Sequence, residues 1–126
     1  MHTPAGKISD SELEVMRVLW DADSALPVAE IRRILQARRG WESTTIKTLV
    51  KRLVNKGAVL QEKRGNYFYS PLVTEKEYNE WATDDLINKL YRGSAKSLVA
   101  ALVQSDELSE ADIEELRALL KGDGAK

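Results

Sequence analysis

The sequence predicts a mainly α chain with a small β-hairpin wing. Residues 1–73 form an N-terminal winged helix-turn-helix, and residues 74–126 form a C-terminal three-helix dimerisation region. Three observations predict this. Apolar residues recur at helical spacing in three N-terminal segments. The period then changes to two across residues 58–72. Past Thr74, helical spacing returns in three segments whose apolar faces have no evident core of their own.

Residues 9–21, SDSELEVMRVLWD, begin with cap-type residues, and Leu13, Met16, Leu19 and Trp20 follow at helical spacing. Asp10, Glu12 and Glu14 sit in the first turn, where the helix dipole favours acids. DSALP breaks the pattern. A second helix runs from about Val28, with Ile31, Ile34 and Leu35 on one face, and Gly40 ends it. Ser43 is the expected N-cap of a third helix, whose apolar series is Ile46, Leu49, Val50, Leu53 and Val54. Gly57 stands where its C-terminus favours positive φ. AVLQEK and YFYSPL, joined by the turn signal RGN, predict a hairpin of 58–63 and 67–72. Thr74 and Glu77 form a capping box that starts a long helix to about Tyr91. A short helix spans 95–104, and Ser109 and Asp112 cap a last one that runs towards Gly122.

The tail carries Leu86 and Leu90, Leu98 and Leu102, and Ile113, Leu116 and Leu120. These are too many for a segment of roughly fifty residues to bury alone. A second copy of the chain would cover them, which predicts a homodimer.

Composition excludes several function classes. The chain of 126 residues is 43% hydrophobic and 31% charged, which suits one folded domain or two small ones. It has no cysteine, so disulfides, thiolate metal sites and cysteine nucleophiles are excluded together. The one histidine, His2, lies near the N-terminus. No metal and no cofactor is expected. The first ten residues, MHTPAGKISD, contain no apolar signal region. The longest strongly apolar run falls far short of the ~20 residues of a membrane helix. The expected location is the cytoplasm, with no direct insertion into a membrane.

Charge is unevenly placed. Residues 28–64 carry ten Lys/Arg against three Glu, a net of +7, although the whole chain is at −1. A basic block in a mildly acidic chain points to a polyanionic partner for that block. At about 100° per residue, the far side of the third helix from Ile46 presents Thr44, Thr48, Lys51 and Asn55, flanked by Thr45, Lys47 and Arg52. No Asp or Glu occurs from 43 to 61. Small hydroxylated residues near a helix N-terminus approach base edges, and a threonine methyl can meet a thymine methyl. Cations further along meet guanine edges and phosphates. An ordinary solvated helix face mixes signs, and threonines are poor helix formers. Double-stranded DNA is therefore the expected partner. Lys63, Arg64 and Asn66 around Gly65 put further charge at the hairpin tip, where a basic loop can reach phosphates or a minor groove. Tyr67, Phe68 and Tyr69 read as packing residues rather than base-stacking ones, as do the three tryptophans.

No catalytic constellation is present. There is no phosphate-binding glycine loop and no histidine in a predicted element, so no enzyme is expected. Asp84-Asp85 and Glu114-Glu115 are adjacent on helices and do not face each other.

With ISDSELEVMRVLW, WESTTIKTLVKRLVNKG and SLVAALVQSDELSEADIEELRALL in this order and spacing, the chain resembles the penicillinase-repressor family of BlaI/MecI type, to which copper-transport repressors are related. The likeness runs from Ile8 to about Leu120. It implies a dimeric repressor whose winged helix reads half of a DNA dyad and whose C-terminal helices hold the dimer. By position, the recognition-helix role falls on Ser43, Thr44, Thr45, Lys47, Thr48, Lys51 and Arg52, with Lys63 and Arg64 on the wing. It also implies, by analogy, β-lactamase or sensor-peptidase genes as targets, and a membrane metalloprotease sensor system as a partner. Two features depart from the family. Copper-type relatives have a cysteine-rich C-terminal motif, which is absent here. The β-lactam-type relatives are cleaved at an Asn-Phe bond, and the matching pair here is Ala101-Leu102. The expected derepression is loss of the dimer, by cleavage within 99–103, by a ligand or by a change in dimer affinity. The alternative from another class is a winged-helix protein-interaction module without sequence-specific DNA binding.

Overall fold

The computed structural model describes residue 6 and residues 8–122; His2 lies outside the described residues. The elements are α1 (Asp10–Asp21), β1 (Leu26–Pro27), α2 (Val28–Arg39), α3 (Ser43–Asn55), β2 (Val59–Arg64), β3 (Asn66–Pro71), α4 (Glu75–Leu90), α5 (Ala95–Gln104) and α6 (Glu110–Leu120). This is a winged helix followed by a helical tail, mainly α with a small antiparallel sheet.

Local chemistry sets the boundaries. Ser9 caps α1 in a capping box with Glu12, the side chain of each accepting the other's backbone N–H. Gly40 closes α2 at φ 67°, a left-handed conformation that a Cβ would strain. Thr74 and Glu77 make the same reciprocal pair at the start of α4, and Ser109 and Asp112 at the start of α6.

Three details differ from the sequence reading. Glu42, not Ser43, is the N-cap of α3: its backbone is extended and its carbonyl accepts the Ile46 N–H. Ser43 is the first helical residue. The hairpin strands are displaced by one residue from those expected, because Ala58 still donates to Leu53 O and so closes α3. Gly65, at φ 80°, turns the chain between Arg64 and Asn66. The sheet also has a third strand, in the order β1-β3-β2, with Leu26 opposite Tyr69 and Pro27 opposite Phe68. Two residues show no period, and a proline is tolerated on an edge strand.

The core gathers Val15, Met16, Val18 and Leu19 of α1, Ile31 and Leu35 of α2, and Ile46, Leu49, Val50 and Leu53 of α3. Ala58, Val59 and Val73 close it beneath the sheet. The chain divides into two compact units between Ala82 and Thr83, inside α4, whereas the sequence reading put the boundary at 73/74. Tyr78 and Trp81 account for the extra turns in the first unit. Both pack against the core, and Trp20 lies 5.9 Å from Tyr78 while donating its indole N–H to Val73 O at 2.8 Å. No residue of α4, α5 or α6 is fully buried.

Candidate nucleic-acid interface

The helix α3 separates its two faces cleanly. Ile46, Leu49, Val50 and Leu53 are buried, and Val54 is half-buried. Thr44, Thr45, Lys47, Thr48, Lys51, Arg52 and Asn55 are exposed, and Ser43 is half-buried at the N-terminal end. Thr48 Oγ1 donates to Thr44 O at 2.8 Å, so the hydroxyl proton is already engaged, and the side chain offers a ligand its methyl and an acceptor oxygen.

Ion pairing sorts the basic block. Arg33 is held by Glu30, Arg38 by Asp21, Arg39 by Glu14, Lys56 by Glu12 and Arg64 by Glu62. Arg32 donates to Ser43 Oγ at 3.5 Å, bracing the start of α3 from α2. Among the described residues, no salt bridge engages Lys47, Lys51, Arg52 or Lys63. The first three line the exposed face of α3, and the fourth is near the wing tip. Three of the cations without a carboxylate partner therefore share the exposed face of α3.

Two furrows flank α3. One, of about 270 Å³, is lined by Thr44, Thr45, Thr48, Leu49 and Arg52. The other, of about 440 Å³, lies towards the sheet; Lys47, Lys51 and Asn55 line it from α3, Gln61 and Tyr69 from the strands.

The wing has less free charge than its sequence suggests. Arg64 Nη2 lies 3.0 Å from Glu62 Oε1, and its guanidinium stands 5.5 Å from the Phe68 ring centroid. Lys63 Nζ stands 5.7 Å from the centroid of Tyr67, itself exposed. Tyr69 packs against the core, whereas Tyr67, expected to be a packing residue, is exposed at the outer end of β3. Arg39 covers Trp41, which packs on the core just before α3.

In the second unit, Leu86, Leu90, Leu102, Leu116 and Leu120 are exposed, Leu120 by 87%. Leu98 and Ile113 are half-buried. Ala101 and Leu102 both lie within α5, with helical backbone on either side. Among the described residues, no three acids or histidines gather as a metal site requires, and no helix is long and apolar enough to cross a membrane.

Sequence reasoning missed the Arg32–Ser43 brace and the part taken by Gln61 in lining the larger furrow. Neither residue carries a local signal, since both act through partners distant in sequence.

Comparison with known proteins identifies the fold of the N-terminal unit and the family of the chain. A solved structure of the DNA-binding domain of the repressor BlaI superposes with a TM-score of 0.54 at 38% identity, covering 62% of this chain and 94% of that one. A second, of monomeric Bacillus licheniformis BlaI in complex with the blaP half-operator, gives 0.51 at 39% identity, covering 56% and 87%. The penicillinase repressor of Bacillus licheniformis is 36% identical over 91% of this chain and 90% of its own length. The methicillin resistance regulatory protein MecI of Mammaliicoccus sciuri is 38% identical over 90% and 93%. The family model described as penicillinase repressor matches residues 8–122, nearly the full length of both units, and the chain belongs to that family.

Proposed function

We propose that the protein is a homodimeric transcriptional repressor that occupies a dyad operator in double-stranded DNA. The observation that carries this reading is the sorting of charge. Five of the ten cations of the basic block are held by carboxylates, whereas Lys47, Lys51 and Arg52 on α3 are not. A surface that neutralises phosphates needs cations without competing acids. In this reading α3 enters the major groove, with Ser43, Thr44, Thr45 and Thr48 towards base edges and Lys47, Lys51 and Arg52 towards guanine edges and phosphates. Lys63 is the main wing contact, and Arg64 a weaker one because Glu62 shares its charge. Membership in a family that includes a BlaI structure with its half-operator supports the same assignment.

Exposure of the tail's leucines supports the dimer. A second copy would cover Leu86, Leu90, Leu98, Leu102, Ile113, Leu116 and Leu120 and set two heads on a dyad about one DNA turn apart, or a multiple of it. Each head then raises the effective concentration of the other, so avidity exceeds one head's affinity by roughly a hundredfold or more. Loss of the dimer is the proposed route to derepression. Cleavage at Ala101-Leu102 by a sensor-triggered protease is one way to reach it, and it requires α5 to open locally, because proteases act on extended backbone. The work takes place in the cytoplasm, and the genes controlled include a β-lactamase or a sensor peptidase.

Selection of bound duplexes from a random pool, followed by sedimentation of the complex, tests the proposal. The expected result is an inverted repeat with two chains per duplex. Enrichment of no common sequence would favour the protein-interaction module instead.

A further inference from the structure

The larger furrow beside α3 has a polar lining that takes no part in holding the fold. Lys47, Lys51 and Asn55 stand successive turns apart along one edge, and Gln61 and Tyr69, cross-strand partners in the sheet, line the other. Among the described residues, no hydrogen bond or ion pair engages any of these five side chains. Elsewhere on the head, the arginines of α2 and the capping residues of α1 and α4 are bonded. Five unengaged polar groups around one concavity, two of them cationic and none acidic, suit a singly charged anion that also accepts several hydrogen bonds. The apolar part of the lining, Val28, Val50 and Val54, suits carbon rather than water next to that anion. A phosphodiester with its attached deoxyribose has both features.

We infer that this furrow seats one backbone phosphate of the strand bordering the major groove, with Tyr69 and Gln61 donating hydrogen bonds beside Lys47 and Lys51. The inference rests on the proposed entry of α3 into the groove. It gives Tyr69, whose ring packs on the core, a second role that its packing does not require. A tyrosine hydroxyl is a proton donor at neutral pH, and burial, with Tyr67 nearby, pushes that of Tyr69 further above its ordinary pKa. Its rigid attachment to the core lowers the ordering cost of the contact relative to a mobile lysine.

The test uses the full chain and a selected operator in which single phosphates are replaced in turn by uncharged methylphosphonate. Several positions per half-site should weaken the wild type, and at the one seated in the furrow the loss should be about tenfold, the scale of a charge-assisted hydrogen bond. Tyr69→Phe keeps the packed ring, so its circular dichroism should match the wild type. It should bind the unmodified duplex about fivefold more weakly and lose markedly less at that one position. Gln61→Leu should behave in the same way. Neither should change the salt dependence, since neither removes a cation. Wild-type affinity in both variants would overturn the inference. So would a response of the Tyr69 resonance to millimolar inorganic phosphate without any effect of the variants on DNA, which would make the furrow a small-anion site. Failure of the wild type to bind any duplex would instead sink the repressor reading on which the inference rests.

Discussion

Lys56 Nζ lies 2.6 Å from Glu12 Oε1, which joins the C-terminal end of α3 to the first turn of α1. The two ends of this pair sit in different surroundings: the Glu12 side chain is 2% exposed and that of Lys56 29%. Breaking the pair from either side should therefore not cost the same. Lys56→Ala strands a buried carboxylate and should cost about 2–3 kcal/mol, towards the range for uncompensated buried charges. Glu12→Gln leaves a partly exposed ammonium that can turn to water, and should cost about 1 kcal/mol. Urea denaturation of the two variants measures the difference, and equal losses would contradict the account.

The same carboxylate predicts a dependence on pH. Burial pushes the Glu12 pKa up, but the Lys56 ammonium and the Ser9 backbone N–H and hydroxyl outweigh it and hold the group below its ordinary value. A carboxylate whose folded pKa is lowered contributes stability that is complete above the unfolded value of about 4.3. That contribution is lost as pH falls through the lower folded value. Asp112, lowered by its bonds to Ser109, acts in the same direction on α6. Thermal denaturation should thus show declining stability below about pH 4.5, and Glu12→Gln should show a shallower decline.

Thr48 distinguishes methyl from hydroxyl recognition. Its proton goes to Thr44 O, so the methyl is the group expected to meet a thymine. Thr48→Val should keep operator affinity, whereas Thr48→Ser should lose discrimination at one base by roughly 1 kcal/mol, about one buried methyl. Replacing Thr44 or Thr48 by glutamate should abolish specific binding with folding intact. Competition titrations with single-base operator variants test this, and a Thr48→Val protein that fails to bind would reverse the roles.

In the tail, Leu116→Asp should yield monomers, since an unpaired charge buried in an interface costs several kcal/mol. Sedimentation at micromolar concentration tests it. A wild-type monomer there, binding its operator without cooperativity, would remove the dimer from the account.

If cleavage drives derepression, cells expressing the chain with its sensor should accumulate fragments ending near Ala101 on induction, detected by mass spectrometry. Full induction with only intact chain would leave a change of dimer affinity as the route.

The first three helices were legible because each buries one stripe against a shared core. The α3 series from Ile46 to Leu53 is the clearest case, and the capping boxes at Ser9, Thr74 and Ser109 mark their helix starts in four residues each. Helix α1 was read less completely: Val15 and Val18 are fully buried, whereas the expected Leu13 and Trp20 lie at the margin of the core. What escaped depends on distant partners. The strand β1 exists because Leu26 meets Tyr69, and the start of α3 is braced from α2 by Arg32 through Ser43. The exposed face of α3 was legible as composition, but which cations remain unpaired became visible only once α1, α2 and the wing were placed around it.

In the proposed function, α3 and the wing neutralise DNA phosphates through the cations that the fold leaves unpaired. The most direct test is the salt dependence of binding to a half-site duplex. With one phosphate contact from each of Lys47, Lys51, Arg52 and Lys63, the plot of log affinity against log salt should have a slope of roughly −4. Each of Lys47→Ala, Lys51→Ala, Arg52→Ala and Lys63→Ala should flatten the slope by about one contact, whereas Arg33→Ala, already paired with Glu30, should leave it unchanged. A slope near zero, or one that Arg33→Ala flattens as much as Lys51→Ala does, would contradict the account.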